Sequence, residues 1–338
     1  MLDKQLEISN MGKHPEISVI VPVYNVERHI EKCVRSLFQQ TLDEVEYIFV
    51  DDCSTDDSLN VLQLLVVEYQ NLADNIIIIR HKQNRGVSVA RNSGLARARG
   101  EYVIFLDSDD WIDVQMLQKM YLAASTVNAD VVMCDFAMVL KSGTKCHKLP
   151  TWNNDDKVAS MRQYLRFAWT VVWCLLIKRE LCVYHNLYFA PSYAYCEDFN
   201  FAVKILDCAT RVVNIHEPLY WYNQLNVNSV MHCLDNKTMR SEQEMYKDVI
   251  DWFKRKGTFD NYRKEMSWRI LKSKQELVLN TATYNDFLSI SPESHDYIWS
   301  CPWLNFKLKL MMWCLVHHLG FISRAMLKLR GIKALLHK

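Results

Sequence analysis

The sequence predicts an α/β fold: an open, mostly parallel sheet flanked by helices, with a C-terminal helical extension. Three observations predict it. Five short apolar runs fall within the first 140 residues: ISVIVPV (17–23), EYIFV (46–50), NIIIIR (75–80), EYVIFL (101–106) and DVVMCDF (130–136). Such β-branched, nearly continuous runs suit parallel strands covered on both faces. Amphipathic segments separate the early runs, giving the β-α-β-α order of an open α/β sheet. After residue 235 strand patterns stop and helical ones take over.

Taken in order, the first strand ends in Pro22-Val23-Tyr24-Asn25, and Ile30, Cys33, Val34, Leu37 and Phe38 form one helical stripe. The second strand ends in Asp51-Asp52. Ser54-Thr55-Asp56-Asp57 then reads as a capping box opening a helix over Asp57–Tyr69. Asn84 to Asn92 reads as a turn opening a helix, whose first amides and Arg91 would face a phosphate or ribose; Arg91 as a surface helix residue is the alternative. The fourth strand runs into Asp107-Ser108-Asp109-Asp110-Trp111. Residues 160–230 mix aromatic-rich helices with short strands at Arg211–Ile215 and Leu219–Tyr222. From Thr238 to about Ser289 the pattern is helical, with Met245, Val249, Trp252 and Phe253 on one stripe.

The last segment predicts one helix with Met312, Leu315, Leu319, Ile322, Met326 and Leu329 on its apolar face and Gly320 as its weak point. Lys309, Arg324, Lys328, Arg330 and Lys333 run along it. From Cys301 to Lys338 there are seven Lys or Arg and no Asp or Glu, leaving 33 basic against 39 acidic residues elsewhere. A basic amphipathic helix either lies on an anionic membrane surface or packs on its own protein. The expected division is a tail (1–15), a core α/β domain (16–235), a helical extension (236–300) and a basic tail (301–338).

Forty Lys or Arg against 39 Asp or Glu argue against a nucleic-acid partner. Eleven cysteines without a C-x-x-C pair argue against a zinc or redox motif and suit a reducing compartment. The N-terminus has no apolar signal core. Leu310–Ile322 is shorter than the roughly 20 residues a spanning helix needs. These features predict a cytoplasmic protein.

In an open α/β sheet, ligands bind beyond the carboxyl ends of the strands. Each strand end also reads as an ordinary turn, helix cap or solvated terminus. Together they put Tyr24, Asn25, Asp52, Asp107 and Asp109 at one crevice. Clustered carboxylates suit Mg²⁺ or Mn²⁺, which use one or two of them plus substrate phosphates. Neither G-x-G-x-x-G nor G-x-x-x-x-G-K-[ST] occurs.

VPVYNVERHIEKCVRSLFQQT, FVDDCSTDDS, NRGVSVARNSGLARARGEYVIFLDSDDW and CEDFNFAVKIL together resemble a family 2 glycosyltransferase of the GT-A type, over roughly residues 15 to 225. The resemblance implies inverting transfer of a sugar from a nucleotide-diphosphosugar, with UDP the commonest nucleotide, to a glycan or lipid-linked acceptor. It implies nucleotide contacts from Pro22, Tyr24, Asn25, Glu27 and Asp52. Asn84, Arg91, Asp107 and Ser108 complete that set. It puts Mn²⁺ or Mg²⁺ on Asp109 and Asp107, and the general base on Asp198, with Glu197 as the second choice. Asp198 and Glu197 also read as acids favouring the start of a helix. The resemblance sets the protein in bacterial polysaccharide or lipid-linked glycan assembly, with peripheral contact through 305–335 on the cytoplasmic face of the inner membrane. Two positions depart from the family pattern. Trp173-Cys174-Leu175 stands in place of Trp-Asn-Lys, and Asn223 in place of an Arg after Tyr220-Trp221-Tyr222. His232 or Arg240 would replace the lost charge. A sugar nucleotidyltransferase would carry a Gly- and Lys-rich loop after the first strand, which VPVYNVERH is not. A degenerate nucleotide-sugar-binding protein would not need Asp198.

Overall fold

The computed structural model describes residues 14–336 apart from 168, 170, 192–195 and 227–235, with the backbone alone at 236–240 and 329–336. His232 and the side chain of Arg240 therefore lie outside the described residues. The chain divides into two compact units, Met1–Cys233 and Leu234–Lys338.

In the first unit β1 (Ile17–Val23), α1 (Ile30–Phe38), β2 (Val45–Asp51), α2 (Ser58–Glu68), β3 (Ile76–Arg80), α3 (Val87–Arg97) and β4 (Tyr102–Phe105) alternate as the apolar runs predict. There follow β5 (Trp111–Ile112), α4 (Met116–Val127), β6 (Val131–Leu140), β7 (Gly143–His147) and α5 (Lys157–Arg166). The unit closes with β8 (Leu175–Lys178), α6 (Arg179–Tyr184), α7 (Glu197–Cys208) and β9 (Val212–Asn223). The strands form one sheet in the order β3-β2-β1-β4-β8-β6-β9-β5, with β7 beside β6.

β1 pairs parallel with β2 and β4, and β2 with β3, so their carboxyl ends share one edge. β8 is antiparallel to both β4 and β6, and β9 runs parallel to β6 while pairing β5 antiparallel. Every residue of β1 and β2 is buried, as two-sided cover of an apolar strand requires. Of their two acids, Glu46 accepts from Ser18 Oγ at 2.5 Å and Arg99 Nε at 3.0 Å, and Asp51 accepts from the Ser54 amide at 3.0 Å. The α1 stripe buries Ile30, Cys33, Val34, Leu37 and Phe38.

Three local expectations change. Asp57 makes no side-chain cap for α2; Asp56 instead accepts from the Ser58 amide and hydroxyl and from the Glu27 amide. The two short strands expected near 211–222 are the single strand β9. Its register shifts beside Cys134 and Asp135, where Pro218 has no amide to donate. The last segment is two helices rather than one, broken where His318 takes φ +61°.

The second unit contains α8 (Asn236–Arg255), α9 (Phe259–Ser273), α10 (Tyr284–Ser289), α11 (Phe306–Val316) and α12 (Gly320–Leu336). Met245, Val249 and Phe253 are buried on α8, which packs on α9. Leu271, Val278, Phe287, Met312 and Leu315 share one core cluster, so this part of the predicted apolar stripe is used inside the unit. Lys274 is fully buried, its ammonium donating to Ile290 O at 2.6 Å and Ser294 Oγ at 3.3 Å and meeting His295 Nε2 at 3.0 Å. Burial pulls its pKa down to about 7.

α3 carries residues of the carboxyl-end crevice and lies tight on β1: a Cβ on Gly94 would stand 2.4 Å from Ile20 Cγ2. Gly94→Ala sets two effects against each other. Helix propensity favours Ala by about 1 kcal/mol, whereas overpacking a core costs about 1–3 kcal/mol. Ile20 is fully buried in a strand paired on both sides and cannot yield cheaply. The variant should melt below wild type by circular dichroism; a raised Tm would show that α3 is not tightly seated.

Candidate active site

The parallel edge gathers the residues that the sequence singles out. Tyr24, just beyond β1, is 46% exposed, its ring free to cover a flat ligand. Pro22 is buried within β1, opposite Val50. Asn25 has φ +51°, a conformation that Asn tolerates. Its Oδ1 accepts from the Thr55 amide, and Glu27 Oε2 accepts from the Asp57 amide, tying the β1 loop to the start of α2. A cleft of about 250 Å³ is lined here by Asn25, Val26, Glu27, Arg28, His29, Asp56 and Asn226. A larger hollow of about 430 Å³ lies against Asp130, Lys178, Glu180 and Tyr184, among others, near the amino end of β4, where Lys178 pairs with Tyr102; neither hollow is lined by Asp52, Asp107 or Asp109. Position, not size, selects the first: it adjoins the loop after β1 and Asn226, which donates to Asp109.

Asp52 is 3% exposed. Its carboxylate accepts from the Arg85 amide at 3.0 Å and the Gly86 amide at 2.7 Å, and meets His81 Nδ1 at 2.6 Å. It therefore holds the loop that opens α3, while Asn84 in that loop is exposed.

The three acids after β4 have separate fates. Asp110 is buried, accepting from Tyr220 Oη at 2.5 Å and the Asn223 amide at 2.7 Å. Burial drives its pKa well up, with Asp109 and Asp107 adding to the rise. It ties the β4 loop to β9. Asp109 accepts from Asn226 Nδ2 at 2.8 Å through one oxygen, and burial followed by Asp107 raises its pKa. Asp107 keeps 30% of its side chain exposed. Ser108 between them is buried.

Arg91, from α3, reaches across to α7. Its Nη2 lies 2.8 Å from Asp107 Oδ1, and its Nη1 lies 2.9 Å from Glu197 Oε1 and 2.6 Å from Asp198 Oδ1. Burial works against the guanidinium charge, and the three carboxylates, Asp198 foremost, more than offset it. Glu197 and Asp198 are 14% and 19% exposed. Burial pushes Asp198 up to about 8; Arg91 opposes that rise and Glu197 and Asp107 add to it. The structure thus brings Asp107, Glu197, Asp198 and Arg91 into one network, beside Asp109.

Two carboxylates, Asp107 and Asp109, fit a hard divalent ion that completes its shell with water and substrate oxygens. No group of three or more His, Cys, Asp or Glu side chains is gathered for a metal among the described residues. The donor set suits an ion shared with a diphosphate.

Sequence reasoning misses Asn226, Asn223 and Tyr220 as holders of the Asp109–Asp110 loop. Tyr-x-Tyr-Asn at the end of β9 is the signal for two of them; Asn226 has none. The departures from the family pattern also acquire places. Leu175 opens β8 in the core, and Asn223 donates through Nδ2 to Asp109 O at 3.0 Å. Trp173 stacks on Tyr220 at 4.0 Å.

Residues 18–181 match the model of glycosyl transferase family 2. The uncharacterized glycosyltransferase EpsJ of Bacillus subtilis (strain 168) is 31% identical over 278 residues, covering 79% of this chain and 78% of EpsJ. Among solved structures, S. aureus TarS 1–349 in complex with UDP-GlcNAc superposes with a TM-score of 0.64 at 19% identity, covering 93% of this chain and 90% of TarS 1–349. The mannosyltransferase PcManGT of Pyrobaculum calidifontis, in complex with GDP-Man and Mn²⁺, gives 0.54 at 17% identity, covering 94% and 88%.

Asp198 should lose its proton near pH 8 rather than near the ordinary carboxylate value of about 4. The carboxyl ¹³C resonance that disappears in Asp198→Asn reports it. A midpoint below about pH 5 would contradict the buried, acid-crowded setting.

Proposed function

The chain belongs to glycosyl transferase family 2, and from that premise we propose that it transfers a sugar from a nucleotide-diphosphosugar, a UDP-sugar first, to a hydroxyl of a glycan or lipid-linked acceptor with inversion at the anomeric carbon. One observation carries this reading: carboxylates at the end of β4 and at the start of α7 meet around one guanidinium at the nucleotide edge. The donor side is Tyr24, Asn25, Asp52 and the loop opening α3. Tyr24 would stack on the base, and Asp107 and Asp109 would hold Mn²⁺ or Mg²⁺ against the diphosphate. That ion, when bound, offsets the charge developing on the leaving diphosphate.

Asp198 acts as general base. It takes the proton of the acceptor hydroxyl as that oxygen bonds to the anomeric carbon; the bond to the diphosphate breaks, and its electron pair leaves with the phosphate. A base with a pKa near the working pH is well matched to this task. Its burial, which raises that pKa, supports the assignment over helix capping alone.

Peripheral membrane contact fits a different face of the last segment from the apolar stripe. On α11, Phe306, Lys309 and Trp313 recur at helical spacing; Phe306 is 69% exposed and its ring lies 6.0 Å from that of Trp299. Exposed aromatics beside lysines suit an anionic lipid interface.

Two tests follow. Asp109→Ala should cut transfer by about 10³-fold, since a metal at the leaving group is worth several kcal/mol. EDTA should abolish wild-type transfer and Mn²⁺ restore it. Asp198→Asn should cut kcat by about 10²–10⁴-fold with donor affinity kept; an inactive Glu197→Gln beside an active Asp198→Asn would exchange the two roles. For the membrane face, the double variant Trp299→Ser/Phe306→Ser should pellet less with anionic liposomes at low salt than wild type. Equal pelleting would exclude that face. A chain cut near Pro302 is a poor probe, because it removes Met312 and Leu315 from the core of the second unit.

A further inference from the structure

Arg91 stands at the centre of the carboxylate network, and its side chain is only 3% exposed. Its guanidinium faces protein. The fork divides between two elements: Nη2 holds Asp107 after β4, while Nη1 holds Glu197 and Asp198 on α7. Nε has no hydrogen-bond partner among the described residues.

The arginine is itself fixed. The Phe189 ring lies 5.1 Å from its guanidinium carbon. Asn92, the next residue on α3, accepts from the Phe189 amide at 3.0 Å and donates to its carbonyl at 2.7 Å. Phe189 stacks at 4.1 Å on Phe201 of α7. At the start of α3, Asp52 holds the Arg85 and Gly86 amides. Contacts therefore run from the Asp52 loop through α3 to the carboxylates of α7.

The geometry points to Arg91 as a positioning residue that holds Asp198 and Asp107 at one spacing, setting the acceptor-side base against the donor-side carboxylates. This assignment rests on the transfer mechanism proposed above. It differs from a nucleotide contact, the role that the resemblance implies for Arg91. Without the guanidinium, three crowded carboxylates repel one another. A lysine keeps the charge but not the planar fork that bonds on two edges.

The test uses the full chain and the nucleotide-sugar that wild type turns over fastest in a panel of UDP-, GDP- and TDP-sugars with Mn²⁺. Arg91→Lys should lower kcat by about 10²–10³-fold while donor KM moves by less than about threefold, the pattern of a group acting in the transition state rather than in binding. Added guanidinium ion should restore part of the rate of Arg91→Ala but not that of Asp198→Asn. Unchanged kcat in Arg91→Lys, or a donor KM raised about tenfold with kcat kept, overturns the assignment; the second result makes Arg91 a donor contact. If wild type transfers nothing, the transferase mechanism fails, and amide exchange at 197–200 decides the role of Arg91. Arg91→Lys should speed that exchange while β1 and β2 stay protected, and equal exchange overturns the positioning role.

Discussion

The balance of charge around Arg91 is the constraint on which the rest of the crevice depends. Three carboxylates from two distant parts of the chain share one buried guanidinium, with Asp109 and Asp110 close by. Buried like charges repel strongly, and a single cation cannot neutralise them all. The protein handles the surplus in two ways. Asp110 is absorbed by Tyr220 and the Asn223 amide. Asp198 moves its proton affinity upward. What is left, Asp107, Glu197 and Asp109 against one guanidinium, is a local negative charge suited to a cation shared with a diphosphate.

This arrangement explains why a core strand delivers three acids to one point. β4 ends beside β1, so the acids emerge at the same edge as Tyr24 and Asp52. A parallel sheet buried on both faces fixes that edge rigidly, and α3 crosses it tightly enough to exclude even a methyl group at Gly94. The position of Arg91 follows from that seat. Stability of the sheet and geometry of the site are thus the same packing problem.

Much of the first unit is legible in the sequence, because apolar runs such as ISVIVPV report burial directly. β1, β2, β3 and β4 appear within a residue or so of their expected places. β7 does not announce itself: Gly143 to Lys145 carry no apolar alternation, and the strand is largely exposed. β8 is four residues long and reads equally as part of a buried helix. The break before α12 rests on a left-handed His318, which no spacing rule foresees. At the site, the acids are visible as a cluster but their division of labour is not. Partnerships such as Arg91 with Asp198, 107 residues apart, or Asn226 with Asp109, are set by topology. The two positions where the family pattern expects a cation hold Leu175 in the core and Asn223 in a loop tie, so neither charge was lost from a free surface.

The central claim is a single displacement with Asp198 as base, and the anomeric configuration of the product tests it most directly. Transfer from a donor of defined configuration, followed by ¹H NMR of the anomeric proton of the isolated glycoside, reports the outcome. An α-linked donor should give a β-linked product, as one in-line displacement requires. A product that keeps the donor configuration would contradict the account, because a single in-line attack by the hydroxyl that Asp198 deprotonates must invert the anomeric carbon.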